Sequence, residues 1–265
     1  MIQIMGIVNL TPDSFRPESR ATAAQAGERI REMCDAGAGI IDLGAVSTRP
    51  GATPVSLEAE WRRLRPVVRK WDPAVRLSVD TTRAEIVRRV YDCVGPFLVN
   101  DISAGEDDPE MLETVGRLGL SYVAMHKRGD PRTMDALCEY PDGIVAALVA
   151  YFTDFARKAA DHGIADWILD PGLGFAKTAD QNWEILEGLE ALQVFGRPVL
   201  IGAADKRFTL TEPPFPFPAL PDESPTERAH RLALQHGAHI LRVHNVPAAV
   251  ATVHQFFSHS RCTTP

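Results

Sequence analysis

Nearly continuous apolar runs alternate with longer stretches of helical periodicity along the whole chain. The runs read IQIMGIVN, GIIDLGA, RLSVDTT, FLVNDIS, SYVAMH, DWILDPG, PVLIGAA and HILRVHN. A strand with one wet face alternates apolar and polar residues, so runs that stay apolar until their last positions predict parallel strands covered on both faces. The segments between them carry helix punctuation. Thr22 with Gln25, Thr178 with Gln181, and Ser224-Pro225 with Glu227 predict N-terminal caps, and Gly37, Gly119, Gly196 and Gly237 stand where helices should stop. Eight strand-helix units in one series predict an α/β fold, a single TIM (β/α)8 barrel forming one domain over residues 1–265. A doubly wound open sheet uses the same alternation and is the alternative. The stretch TEPPFPFPALPDES, residues 211 to 224, breaks the rhythm: its five prolines forbid a regular helix and predict an extended loop after the seventh strand.

Both architectures place function at the C-terminal ends of strands, and here those ends are polar. In order they offer Asn9, Asp42 followed by STRPGA, Asp80, Asn100 with Asp101, His126, Asp170, Lys206, and Arg242 with His244. One carboxylate at a strand end is more often a turn or cap residue than a catalyst. Eight polar ends converging on one barrel mouth are harder to read that way, because they would surround a ligand carrying both donors and acceptors. The seventh run ends in three successive charges, Asp205, Lys206 and Arg207. Neighbours leaving a strand cannot all face one ligand, so Lys206 is expected to point into the mouth and the other two away from it. His162, His230, His236, His254 and His259 lie in helical patterns and read as structural or solvated.

Composition narrows the class of protein. With 45% hydrophobic and 24% charged residues the chain has the make-up of a soluble globular protein. A net charge of -7 argues against a nucleic-acid surface but leaves room for a local basic pocket that captures an anion. The cysteines, at 34, 93, 138 and 262, show no Cys-x-x-Cys spacing, so neither a zinc site nor a disulfide framework is expected and a reducing cytoplasm fits. Cys34 and Cys93 read as buried small hydrophobes. No leader pattern opens the chain and no run of about twenty apolar residues predicts a membrane span.

The segments MGIVNLTPDSF, VSTRPGA, SVDT, VNDIS, AMHKRG, LDPGLGFAKT and GAHILRVH, in that order from residue 4 to about residue 250, together resemble the dihydropteroate synthase family. The resemblance implies a TIM barrel that joins 6-hydroxymethyl-7,8-dihydropterin pyrophosphate to p-aminobenzoate and releases pyrophosphate with help from Mg2+, in a homodimeric cytoplasmic enzyme of folate biosynthesis targeted by sulfonamides. It also implies the site. Asp170 would accept a forked pair from the amino group and ring N–H of the pterin, with Asn100 and Asp80 on the remaining ring donors and acceptors and Lys206 donating to the ring. Arg242 and His244 would grip the pyrophosphate, Thr48 and Arg49 would close over it and the amine, and Asn9 would be the magnesium ligand. Met125 and Phe175 would line the pterin and the aromatic amine. By the same resemblance bond breaking precedes amine attack, so catalysis is mainly electrostatic, with Asp80 steadying the positive methylene carbon.

Three departures from the family pattern bear on these expectations. The first loop reads RPESRAT after PDSF, where most members have Asp-Gly-Gly. Ala176 replaces a glycine, so its backbone must suit a residue with a Cβ. The usual Ser-Arg-Lys-Ser is Ala204, Asp205, Lys206 and Arg207, which keeps the lysine and loses the residues that in the family cover the pterin and receive the p-aminobenzoate carboxylate. Two other readings therefore stand beside the synthase: a pterin-dependent methyltransferase domain, and a non-catalytic or divergent pterin-binding paralogue. Asp13, Asp42 and Asp101 are expected to be caps or turn residues.

Overall fold

The computed structural model describes residues 2–10, 23–46, 55–129 and 133–262. All eight apolar runs form strands: β1 (Gln3–Asn9), β2 (Ile40–Gly44), β3 (Leu77–Asp80), β4 (Leu98–Asp101), β5 (Ser121–Met125), β6 (Trp167–Asp170), β7 (Leu200–Ile201) and β8 (Ile240–Val243). Their spatial order is β6-β5-β4-β3-β2-β1-β8-β7, and every named pairing is parallel. A parallel bridge between Leu169 and Val199, with the Leu169 N–H donating to the Pro198 carbonyl at 2.9 Å, joins the two ends of that series. A doubly wound sheet has two free edges; here the edges meet, which decides for the TIM barrel.

The continuous apolar character of the runs reflects two separate cores. Met5, Ile40, Leu98, Val123, Ile168, Leu200 and Ile240 form a buried cluster of their own, one residue from each of seven strands. Register sets Met5 beside Ile40, Val123 beside Ile168 and Leu200 beside Ile240, so this layer fills the barrel. The alternate residues, among them Ile41, Leu43, Val79, Val99, Tyr122, Leu169 and Leu241, belong to the second core, shared with the helices. Two residues further along the same inward rows the interior turns polar, at Asp42, Asn100, Asp170 and Arg242, and Asp80 follows Ser78 in the same way on β3. That switch from apolar to polar along the barrel axis marks the functional end.

The helices are α1 (Ala23–Asp35), α2 (Leu57–Val68), α3 (Ala84–Val94), α4 (Met111–Leu118), α5 (Ile144–Asp161), α6 (Ala179–Glu187), α7 (Pro225–Gln235) and α8 (Val246–Cys262). Two of the three expected caps form as capping boxes: Thr178 with Gln181 opens α6, and Ser224 with Glu227 opens α7, with Pro225 in the first turn. Gly119 ends α4 in the left-handed conformation, and Gly37 and Gly237 follow α1 and α7 at positive φ. Gly196 instead closes a 3-10 turn, Leu189–Phe195. Thr22, Asp13 and the RPESRAT loop lie outside the described residues. The proline-rich stretch is irregular, as expected, and is tied down by Phe217, which packs on the helical core under the Arg231 guanidinium at 4.1 Å, and by the Arg231–Glu223 ion pair at 2.6 Å. Cys93 departs from expectation: it is exposed, and Cys34 is half-buried.

Ala176 sits at φ +50, the left-handed region in which a Cβ crowds the following carbonyl. That strain costs roughly 1–2 kcal/mol, against roughly 0.5–1 kcal/mol for the extra chain entropy of glycine. Ala176→Gly should therefore raise the urea midpoint by an amount equivalent to up to about 1 kcal/mol at unchanged m value. A lowered midpoint would show that the methyl group packs well enough to outweigh the strain.

Candidate active site

A single buried carboxylate organises the floor of the barrel mouth. Asp42, fully buried in β2, accepts hydrogen bonds from Ser78 Oγ of β3 at 2.6 Å, Asn100 Nδ2 of β4 at 3.0 Å and Arg242 Nε of β8 at 2.7 Å. Arg242 Nη2 also reaches Asp80 Oδ2 at 2.9 Å, so one guanidinium lies between two carboxylates. Burial opposes its charge, but Asp42 and Asp80 more than offset that and hold its pKa above the ordinary arginine value. Asp80 titrates well above the usual carboxylate range, up to about 7: burial is the largest cause, Arg242 opposes it, and Asp42, Glu60 and Asp101 add to it. Asp42 is thus no cap or turn residue. Its alternation with Ile40, an inward residue of the same strand, is the signal that places it inside the barrel. Asp101, by contrast, is the turn residue expected, accepting from the Ser103 and Gly105 N–H groups and from the Tyr122 hydroxyl.

The opposite wall is built by the loop after β6. Asp170 ends that strand, buried, with Oδ1 taking the Gly172 N–H at 2.8 Å. It is therefore both a turn residue and a carboxylate whose second oxygen, Oδ2, has no protein donor among the described residues. Burial raises its pKa, while the Gly172 N–H, Lys206, Arg242 and Lys177 work against the rise. Met125 lies beside it in register on β5. Gly172, at φ +67, passes so close to β5 that a Cβ there would lie 2.0 Å from the His126 carbonyl oxygen. The loop is then locked from inside by Lys177, a buried side chain to which the sequence reading assigned no role. Its Nζ meets His126 Nδ1 at 3.0 Å, the Gly172 carbonyl at 3.0 Å and the Phe175 carbonyl at 2.9 Å. Burial lowers its pKa to about 7. The His126 imidazole, held down to about 2 by burial and by Lys177 and Arg128, stays neutral and serves as acceptor.

Lys206 leaves the end of β7 toward this loop. Its Nζ stands 4.6 Å from the centroid of the Phe175 ring, and its chain lies against Gly174, where a Cβ would be 3.2 Å from Lys206 Cδ. Asp205, in the left-handed region at φ +58, and Arg207 are exposed, and Lys206 between them is half-buried. On the far side, a Cβ on Gly44 would meet Asn9 Oδ1 at 3.3 Å and Asp80 Oδ2 at 3.8 Å, so the glycine keeps open a notch between those oxygens. His244 lines a cavity of about 460 Å³ between the β7 end, α7 and α8, with Asp205, Lys206, Arg207, Ser224 and His230. Thr48 and Arg49 lie outside the described residues. Both stems of their loop are held by arginines the sequence reading missed: Arg63 donates to the Ala45 carbonyl at 2.6 Å, and Arg83, paired with the buried Glu60, donates to the Val55 carbonyl at 2.5 Å.

The mouth thus presents a free carboxylate oxygen, an amide, an ammonium over an aromatic ring and a guanidinium flanked by carboxylates. Comparison with known proteins agrees with this chemistry. The profile of the family described as "Pterin binding enzyme" matches residues 5–244. The chain is 36% identical to the dihydropteroate synthase of Escherichia coli K12, covering 93% of this chain and 88% of that one, and 36% identical to that of Synechocystis sp., covering 92% and 86%. Among solved structures, the dihydropteroate synthase of Xanthomonas albilineans with 4-aminobenzoic acid superposes with a TM-score of 0.83 at 34% identity, over 100% of this chain and 94% of that one. That of Yersinia pestis in a sulfonamide complex does so with a TM-score of 0.84 at 32% identity, over 99% and 95%.

Lys177→Met keeps the length of the buried chain but leaves three acceptors unpaired, at a cost of roughly 2–4 kcal/mol. Urea unfolding should show a loss of that size. A loss below about 1 kcal/mol would mean that the ammonium is not what locks the β6 loop.

Proposed function

The chain belongs to the pterin-binding enzyme family, and we propose that it is a dihydropteroate synthase, a transferase of folate biosynthesis that couples 6-hydroxymethyl-7,8-dihydropterin pyrophosphate to p-aminobenzoate. The observation that carries the reading is the placement of Asp170, Asn100, Asp80 and Lys206 around one barrel mouth in a chain so similar, over most of its length, to named dihydropteroate synthases. Asp170 Oδ2 accepts from the pterin amino group and ring N–H, and Asn100 Oδ1, left without a donor by its neighbours, accepts from a further ring donor. Lys206 donates to the ring beside the face of Phe175. Arg242, whose Nη1 makes no bond among the described residues, offers a charged donor to the leaving diphosphate, and His244 supports it from the β8 end. Thr48 and Arg49 complete that grip by family resemblance. As the C–O bond breaks, the carboxylate of Asp80 offsets the positive charge on the methylene carbon, and the neutral arylamine attacks without needing a strong base.

A divalent cation fits the notch beside Gly44. Asn9 Oδ1 is a hard oxygen facing it, and magnesium takes one or two protein oxygens, completing its octahedron with phosphate oxygens and water. Asn9 would hold it, and the ion would neutralise charge on the diphosphate. The resemblance extends the proposal to a homodimer in the cytoplasm; among the described residues no helix is long and apolar enough to cross a membrane.

The altered Ala204-Asp205-Lys206-Arg207 stretch favours weaker amine recognition over loss of function, because its two non-family charges are exposed while the lysine is turned to the pterin wall. Magnesium-dependent pyrophosphate release from the two substrates tests the reading. Pterin binding without turnover would favour the non-catalytic paralogue instead. Lys206→Ala should weaken pterin binding ten-fold or more, about 1.4 kcal/mol, while Asp205→Ala should change it by less than about two-fold. Calorimetric titration returning equal losses for the two variants would contradict the placement of Lys206.

A further inference from the structure

We infer that Asp42 is the positioning residue of the pterin site, fixing which face of the Asn100 amide and which edge of the Arg242 guanidinium are turned to the ligand. The inference rests on the functional reading above and assigns a role to a residue outside the set that touches substrate. An amide side chain has two nearly isosteric ends, one accepting and one donating, and only its partners decide which is presented. Asn100 gives Nδ2 to Asp42 at 3.0 Å, which leaves Oδ1 as the end without a protein partner among the described residues. Arg242 gives Nε to the same carboxylate at 2.7 Å and Nη2 to Asp80, which leaves Nη1. One fully buried carboxylate therefore sets an acceptor on β4 and a donor on β8.

Ser78 provides the third hydrogen bond, at 2.6 Å, and closes the side of Asp42 away from Arg242. With three donors converging on its two oxygens, Asp42 cannot rotate without leaving one of them unpaired in a dry interior. Below it lies the apolar layer of Met5, Ile40 and Leu98, which offers no alternative partner. The carboxylate is thus held from beneath by packing and from three sides by donors. Its effect on substrate has to pass through Asn100 and Arg242.

A role of this kind makes a prediction that a stabilising salt bridge does not: its effect on pterin binding should depend on the residue through which it acts. Asp42→Asn presents an N–H where a donor already points, so the Asn100 amide loses its reason to keep Oδ1 outward. Pterin affinity, measured calorimetrically, should fall ten-fold or more in the parent background. In an Asn100→Ala background the same substitution should cost less than half as much on a logarithmic scale. In steady state the pterin KM should rise while the p-aminobenzoate KM stays within about two-fold, and Asp42→Glu, which keeps the charge but moves it by a methylene, should fail to restore the pterin KM. Equal losses in the two backgrounds would reduce Asp42 to a structural role, and unchanged affinity would overturn the inference outright. If Asp42→Asn does not fold, the Asp42→Glu and Asn100→Ala pair carries the same cycle. A parent protein that binds no pterin overturns the functional reading, a result distinct from a parent that binds and a variant that binds equally well.

Discussion

Inside a protein barrel a carboxylate must find donors or give up its charge, and three carboxylates face the mouth of this barrel. Asp42, Asp80 and Asp170 face the same interior, and the Arg242 guanidinium bridges the first two. Removing one partner of such a buried pair typically costs about 3–5 kcal/mol, so the ion pair is not a decoration on a finished fold but a condition for leaving the other groups where they are. Burial pushes the Asp80 carboxyl up to about 7, with Arg242 opposing the rise and Asp42 adding to it.

The rest of the molecule holds that cluster still. The apolar layer within the strands sets its depth, and closure of the barrel between Leu169 and Val199 brings β6 round to β8's neighbour so that Asp170 can face Arg242. The β6 loop is locked by Lys177 and by the close pass of Gly172 over β5. The stems of the loop carrying Thr48 and Arg49 are held by Arg63 and Arg83. Binding chemistry is thereby carried on strand ends that cannot drift, while the loops around them are free to differ from those of relatives.

How far the sequence could be read follows from which interactions are local. Strands, capping boxes and the proline-rich loop depend on residues close in the chain, and Thr178-Gln181, Ser224-Glu227 and the eight apolar runs were legible for that reason. Asp42 was not, because its three donors come from β3, β4 and β8, and the bland reading of a strand-end carboxylate outweighed its inward parity with Ile40. Lys177 was hidden likewise: its acceptors are backbone carbonyls and a histidine, none of which a side-chain pattern reveals. Arg242 and His244 stand two residues apart at the end of β8, and what each side chain meets is set by distant elements, the carboxylates of β2 and β3 for Arg242 and a cavity beside α7 for His244.

We propose that the Asp42–Arg242 pair is a fixed frame on which the pterin is read. A crystal structure of the protein soaked with 6-hydroxymethyl-7,8-dihydropterin pyrophosphate tests it most directly. In that structure Arg242 Nε should remain on Asp42 within hydrogen-bonding distance, Asn100 Nδ2 should do the same, and the pterin amino edge should lie on Asp170. A guanidinium swung away from Asp42, or a pterin seated with Asp170 still facing only Gly172, would contradict it.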